Sequence, residues 1–177
     1  LPGYKPEPKG YAPETIQQIA AALAKSQRPV IIAGHGAVLS RAEKELRQFA
    51  EALQAPVATT LLGKGVFPDS HKLSLHGLGM HGTAYATRAV AECDLMLSVG
   101  ARLDDRILGV PSQFCRNAVK IHVDIDGAEF NKLVRPEICC RGDARTVLQD
   151  LLATAKPGDT AEWLKRLDGY KKKWPLA

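Results

Sequence analysis

No apolar run in this 177-residue chain approaches the roughly 18 residues that a membrane-spanning helix requires. Cysteine is sparse: Cys93, Cys115, Cys139 and Cys140 are the only four, and none forms a C-x-x-C pair. A zinc site built on paired cysteines is therefore excluded. Neighbours such as Cys139 and Cys140 point to opposite faces of a strand. With apolar residues around them, all four read as buried free thiols of a cytoplasmic protein. No serine or cysteine stands in a recognisable relation to a histidine and an acid, and no carboxylate dyad lies in an apolar setting. The chain thus encodes no nucleophile–base chemistry of its own. Internal repeats and low-complexity tracts are missing too. Hydrophobic residues make up 45% and charged residues 24%, a globular balance that excludes disorder, collagen and coiled coil.

A net charge of +5 raises the question of a polyanionic partner. Its distribution answers it. Residues 1–28 carry +2 and residues 156–177 carry +3, while residues 29–155 hold 14 basic and 14 acidic side chains. A nucleic-acid reader presents its basic stripe on a folded face. Here the excess sits in the flanks, and Lys171-Lys172-Lys173 reads as a solvated helix end. Nucleic acid and membrane are therefore not expected partners. Three prolines among the first eight residues, with no leader pattern, read as an extended linker. Tyr170 to Ala177 is similarly linker-like, as in a domain taken from a longer polypeptide.

Between the flanks, helical and extended patterns alternate. Pro13 to Gln27 places Ile16, Ile19, Ala20 and Leu23 at helical spacing, with Pro13 in a first turn. Ser40 with Glu43 predicts a capping box for a helix running to Gln54. Further helices are expected at 81–93, from an Asp143 cap to about 155, and at 160–173. Short apolar runs at 29–33, 56–60, 95–99, 119–123 and 138–140 read as buried strands. The expected fold is α/β: a doubly wound parallel sheet of about five to six strands, helices on both faces, with right-handed crossovers. Ligands of such sheets bind beyond the carboxyl ends of the strands.

Each strand end therefore merits attention. Gly34-His35-Gly36 follows the first strand; it is not G-x-G-x-x-G, and a plain turn explains it equally well. Thr59-Thr60-Leu61-Leu62-Gly63 follows the second, with hydroxyls for a ligand or simply a loop. Leu78-Gly79-Met80-His81-Gly82-Thr83 leads into a helix whose amides favour anions, and His81 there reads first as a polar packing residue. His71 and His76 share no metal-type spacing with a carboxylate. Gly100-Ala101-Arg102-Leu103-Asp104-Asp105-Arg106 is the densest stretch. Its guanidiniums suit phosphate and its carboxylates suit ribose or adenine, while an internal ion-pair network is the alternative. Asp124 closes the 119–123 strand, and Asp143 reads primarily as a helix cap. Together these ends outline a nucleotide-binding rim.

Three stretches resemble a known family. Gly77-Leu78-Gly79-Met80-His81-Gly82-Thr83-Ala84-Tyr85-Ala86, Ala91-Glu92-Cys93-Asp94-Leu95 and Val99-Gly100-Ala101-Arg102-Leu103-Asp104-Asp105-Arg106 are similar to the middle domain of the acetohydroxyacid synthase (biosynthetic acetolactate synthase) catalytic subunit. Leu1-Pro2-Gly3-Tyr4, Ile121-His122-Val123-Asp124-Ile125-Asp126 and Gly142-Asp143 fit as well, so the resemblance covers essentially the whole chain. The family often has three glycines where Gly34-His35-Gly36 stands, and Phe where Leu103 stands.

The resemblance implies a parent enzyme that condenses two pyruvates, or pyruvate and 2-oxobutyrate, at the start of branched-chain amino-acid synthesis. Thiamine diphosphate and Mg²⁺ would lie in the flanking domains of the same chain, outside this one. The middle domain would hold FAD, which does no net redox work in that reaction. The implied FAD contacts are Gly34, Thr60, Leu61, Leu78, Gly79, Met80, His81, Gly100, Ala101, Arg102, Asp104, Asp124, Ile125, Asp143 and Ala144, with Asp124 and Asp143 at the adenosine end. Asp105 and Arg106 are similar to positions near a substrate channel and a subunit interface. Implied partners are the flanking domains and a homodimer or tetramer with a regulatory subunit. The implied organisation is a linker at 1–12, the FAD domain at 13–157, and a C-terminal helix and linker at 158–177. Alone, the chain is expected to be inert. The alternative is an ADP- or nucleotide-binding central domain of another thiamine-diphosphate enzyme.

Overall fold

The computed structural model describes residues 10–176, so the Leu1-Pro2-Gly3-Tyr4 motif and residues 1–9 of the expected 1–12 linker lie outside the described residues. Among the described residues six parallel strands form one sheet: β1 (Pro29–Ala33), β2 (Val57–Thr59), β3 (Ser74–Gly77), β4 (Leu95–Val99), β5 (Val119–Asp124) and β6 (Ile138–Arg141). Their spatial order is β3-β2-β1-β4-β5-β6. The order reverses between β1 and β4, which pair over five residues from Pro29↔Leu95 to Ala33↔Val99.

The expected doubly wound sheet is thus present, with one strand that the apolar-run criterion overlooks. Ser74-Leu75-His76-Gly77 has only one strongly apolar residue, because β3 is an edge strand with a register shift against β2. Edge position relaxes the demand for burial on both faces.

Helices cover both faces. On one side lie α1 (Pro13–Lys25), α3 (Glu43–Leu53) and α6 (Ala144–Thr154), packing Ile19, Leu46, Phe49 and Leu148 onto Ile31, Leu97 and Ile121. On the other lie α4 (Ala84–Glu92) and α7 (Ala161–Lys173), whose Tyr85, Ala89, Trp163 and Leu167 meet Val30, Ile32 and Met96. Alternate residues of β1 serve opposite cores, as the strand period requires. Among the described residues no helix is long and apolar enough to cross a membrane.

Several expected boundaries move, each for a tertiary reason. Helix α1 ends at Lys25 rather than Gln27, because Asp94 gathers the next three residues. Its carboxylate accepts from Ser26 Oγ at 2.5 Å, from the Gln27 amide at 3.0 Å and from the Arg28 amide at 3.0 Å. The Ser40–Glu43 capping box does not form. Ser40 instead ends a short helix, α2 (His35–Leu39), its hydroxyl donating to the Ala37 carbonyl at 3.3 Å, and α3 starts from Ala42 with no side-chain cap. Helix α4 starts at Ala84, not His81, because the Thr83 hydroxyl caps the Ala86 amide while donating to Leu75 O. The lysine run is not wholly solvated either. Lys171 donates to the Lys72 carbonyl at 2.7 Å, and Lys173 lies 4.8 Å from the centre of the Trp174 ring. Asp143 is a cap as expected, accepting from the Arg145 and Thr146 amides.

A buried acid joins α3 to α6. Glu45 Oε1 accepts from Arg145 Nε at 2.9 Å and from Gln149 Nε2 at 3.0 Å, and the glutamate is 5% exposed. Burial pushes this carboxyl up, but the hydrogen bonds from Arg145, the backbone and Gln149 hold it below the ordinary carboxylate range. Stability from a depressed acid is complete above its unfolded pKa of about 4.3. It is lost as pH falls through the folded value. Arg145→Ala should therefore lower the unfolding free energy at pH 7 by about 1–3 kcal/mol, allowing for the half-exposed arginine. The gap to wild type should narrow below about pH 4.3 in urea titrations; a gap constant with pH would contradict the role of Glu45.

Candidate ligand-binding edge

The carboxyl ends of β1 and β4 cross at backbone distance. Gly34 N donates to Val99 O at 3.0 Å, and Gly36 N donates to Gly100 O at 2.9 Å. A Cβ on Gly34 would overlap Ala101, and one on Gly36 would sit 2.8 Å from Gly100 Cα. Gly100 combines φ +58° with a Cβ position 2.6 Å from the Ala37 amide, so both conformation and space exclude a side chain. The Gly34-His35-Gly36 turn that sequence alone left open is therefore set by this crossing.

Beneath it lies His122, which is 1% exposed. Its Nε2 is 3.1 Å from Ala101 O, so this nitrogen must carry the proton, and Ser98 Oγ donates to the same carbonyl at 3.3 Å. Both donors pin the loop that presents Arg102. The motif containing His122 is visible in the sequence, but its role is not, because nothing local couples residue 122 to residue 101.

Two cavities lie along the edge, one on each side of the crossing. A cavity of about 540 Å³ at the β2–β3 side is lined by Thr60, Leu61, Leu78, Met80 and His81, together with Lys64, Asp69, His76 and Arg106. Its rim leaves Leu61 84% and Met80 70% exposed. A smaller one, about 170 Å³, lies at the β5–β6 side between Leu39, Ser40, Gly100, Asp124, Ile125, Asp143 and Ala144. Gly79 lines a neighbouring cavity of about 420 Å³ behind the 105–115 segment. Gly34 and Ala101 are buried in the crossing. The strand order is what gathers residues 34 to 144 onto one edge.

Much of the polar equipment also serves the protein itself. Thr60 Oγ1 accepts from the Gly63 amide, and Asp124 accepts from the Asp126 amide. The amides of Leu78, Met80 and Thr83 donate to Thr59, Arg106 and Gly77 carbonyls. Arg102 Nε and Nη2 each lie 3.0 Å from Asp104 Oδ2, and Asp104 Oδ1 caps the Arg106 amide of α5 (Asp105–Leu108). The ion-pair alternative for this stretch is realised. The paired guanidinium nevertheless stays exposed beside the glycine crossing.

In the larger cavity Asp69 escaped sequence reasoning, and His76 was weighed there only as a metal ligand. His76 Nδ1 lies 3.5 Å from Asp69 Oδ1, and both line it. They became neighbours only through the overlooked β3, so composition and spacing carried no signal. His71 is instead structural: its Nδ1 accepts from the Leu73 amide, leaving Nε2 to donate to Glu51 at 3.0 Å. Among the described residues no group of three or more His, Cys, Asp or Glu could hold a metal ion.

Fold and edge together define a doubly wound α/β domain with cavities at its switch point, the place where ligands of such sheets bind. The chain belongs to the family described as thiamine pyrophosphate enzyme, central domain, which it matches over residues 16–151. It is 47% identical over 97% of its length to a "Probable acetolactate synthase large subunit" of Methanocaldococcus jannaschii, covering 29% of that protein. Similar relatives are the acetolactate synthase large subunits of Cyanidium caldarium, 44% identical over 92% of this chain, and Corynebacterium glutamicum, 41% over 99%. The chain spans 29% of the length of each of these curated relatives.

If the crossing of β1 and β4 organises the edge, Gly100→Ala should destabilise more than Gly65→Ala. Both residues have positive φ, worth about 1–2 kcal/mol of strain for alanine. Only Gly100 adds backbone overlap, since a Cβ on Gly65 meets open space. Equal melting temperatures for the two variants would contradict this account.

Proposed function

We propose that this chain is the FAD-holding central domain of an acetolactate synthase large subunit. The observation that carries the reading is the pair of cavities separated by a glycine crossing with an exposed arginine beside it. FAD has two flat ring systems joined by a pyrophosphate, and the edge offers matching parts. Leu61 and Met80 expose apolar surface at one end, Leu39 and Ile125 at the other, with Arg102 between. Apolar surface left exposed beside polar groups in a cavity is what the ring systems of such a ligand would cover.

In this reading Thr60, Leu61, Leu78, Gly79, Met80 and His81 face the flavin, and Gly34, Gly100 and Ala101 let the backbone approach the middle. Arg102, with Asp104 holding its fork, meets the pyrophosphate. Asp124, Ile125, Asp143 and Ala144 serve the adenosine. Flavin supplies two-electron redox capability wherever it binds; the groups here only bind and orient it. The names of the relatives support a parent that makes acetolactate, and the family description supports thiamine diphosphate as its cofactor. In this reading the parent condenses two pyruvates, or pyruvate and 2-oxobutyrate, with thiamine diphosphate and Mg²⁺ held by flanking domains. The remaining length of those relatives is room for such domains. A dimer or tetramer with a regulatory subunit belongs to the same reading.

The purified chain should show or acquire a flavin absorption band on addition of FAD. Arg102→Ala should weaken FAD about tenfold, the loss of one charge-assisted contact at a solvent-exposed site. The exposed Lys172, changed to alanine, should leave affinity within about twofold. Equal calorimetric affinity for ADP and FAD would favour the nucleotide-binding alternative. With pyruvate, thiamine diphosphate and Mg²⁺ the 177-residue chain should form no acetolactate, and detectable turnover would overturn the assignment of catalysis to the missing domains.

A further inference from the structure

Two of the four thiols, 22 positions apart in sequence, meet in the core behind the ligand edge. Cys93 Sγ lies 3.9 Å from Cys115 Sγ, and the residues are 2% and 1% exposed. Cys93 terminates α4, its thiol 3.2 Å from Val90 O. Cys115 has φ +47°, an unusual conformation for a residue with a Cβ, so the surrounding fold holds it in place. Cys115 is not sealed off. It lines the cavity of about 420 Å³ shared with Val90, Leu108, Phe114, Met80 and Arg106. A small neutral oxidant thus has a route to one sulfur, with the second already in contact.

We propose that Cys93 and Cys115 are an oxidisable dithiol that a peroxide converts into an intramolecular disulfide, tethering the 107–115 segment to the end of α4. The chemistry balances in two steps. The Cys115 thiolate attacks a peroxide oxygen, breaking the O–O bond and giving a sulfenic acid plus hydroxide. The Cys93 sulfur then displaces the sulfenic oxygen as water, with its proton. One peroxide is reduced by two electrons, each sulfur gives up one, and two waters leave. The sulfurs must close from 3.9 Å to the S–S length of about 2.05 Å, a displacement of about 2 Å. Contact with Cys93, and then burial, holds the Cys115 thiol far above its ordinary range, so thiolate is scarce and the reaction is slow beside that of an exposed cysteine. The tether would act on the segment that follows Arg106, and so on one wall of the ligand edge.

The test is hydrogen peroxide treatment of the native chain, then alkylation, denaturation and tryptic mapping. Thiols should fall from four to two. The tryptic peptides 89–102 and 107–116 should travel as one species that a reductant separates, and amide exchange within 107–115 should slow. A Cys139→Ser/Cys140→Ser variant should give the same cross-link, while Cys93→Ser should abolish it and leave a sulfenic acid at Cys115 that dimedone traps. Links from Cys115 to Cys139 or Cys140, or four persistent thiols, would overturn the proposal. None of these readings uses FAD, so the outcome is independent of the cofactor assignment.

Discussion

The close crossing of the β1 and β4 loops governs the rest of this molecule. Where Gly34 and Gly36 run against Gly100 and Ala101, two backbones touch with no side chain between them. The strand order reverses there, so the loops must diverge to opposite faces, one into α2 and the other toward α5. That divergence opens the edge. His122 and Ser98 secure it from below through the Ala101 carbonyl. The frame of this edge is therefore set by backbone contacts and buried polar groups.

The electrostatics follow the same division of labour. The body between residues 29 and 155 is electrically balanced, and its charged groups are engaged locally: Arg102 with Asp104, Arg145 with Glu45, Asp94 with three donors of the α1–β1 turn. The first of these lies at the edge, while Asp94 joins the end of α1 to β4 at the amino ends of the strands. The positive excess remains in the flanks, where Lys171 helps seat α7 by donating to the Lys72 carbonyl. Net charge here is therefore a property of how the domain is bordered and says little about what it binds.

The sheet was legible because buried parallel strands advertise themselves as uninterrupted apolar runs, as in Val30-Ile31-Ile32 and Leu95-Met96-Leu97. β3 was not, because an edge strand ending in Gly77 needs little apolar surface. With it went His76 and Asp69, which only β3 brings into the larger cavity. Helix starts misled for a related reason: Ser40 and His81 look like local signals, yet their roles are set by Ala37 O and by the Thr83 cap. Asp143 behaved as a cap because its two amide partners lie within three residues. The Arg102–Asp104 stretch was recognised as special without its partners being decidable, since an exposed guanidinium two residues from a carboxylate suits both an ion pair and a ligand.

The amino-acid order by itself determined the class of fold, the two apolar faces of every central strand, the family resemblance and the neutral middle with basic borders. All of these depend on residue type and spacing, which the chain carries in one dimension. The tertiary fold decided which glycines touch, which acids are clamps, that His122 reaches Ala101 and that Cys93 meets Cys115. Each of those is a contact between residues separated by many positions, and its distance is fixed only when the sheet closes in its order and the helices dock on it.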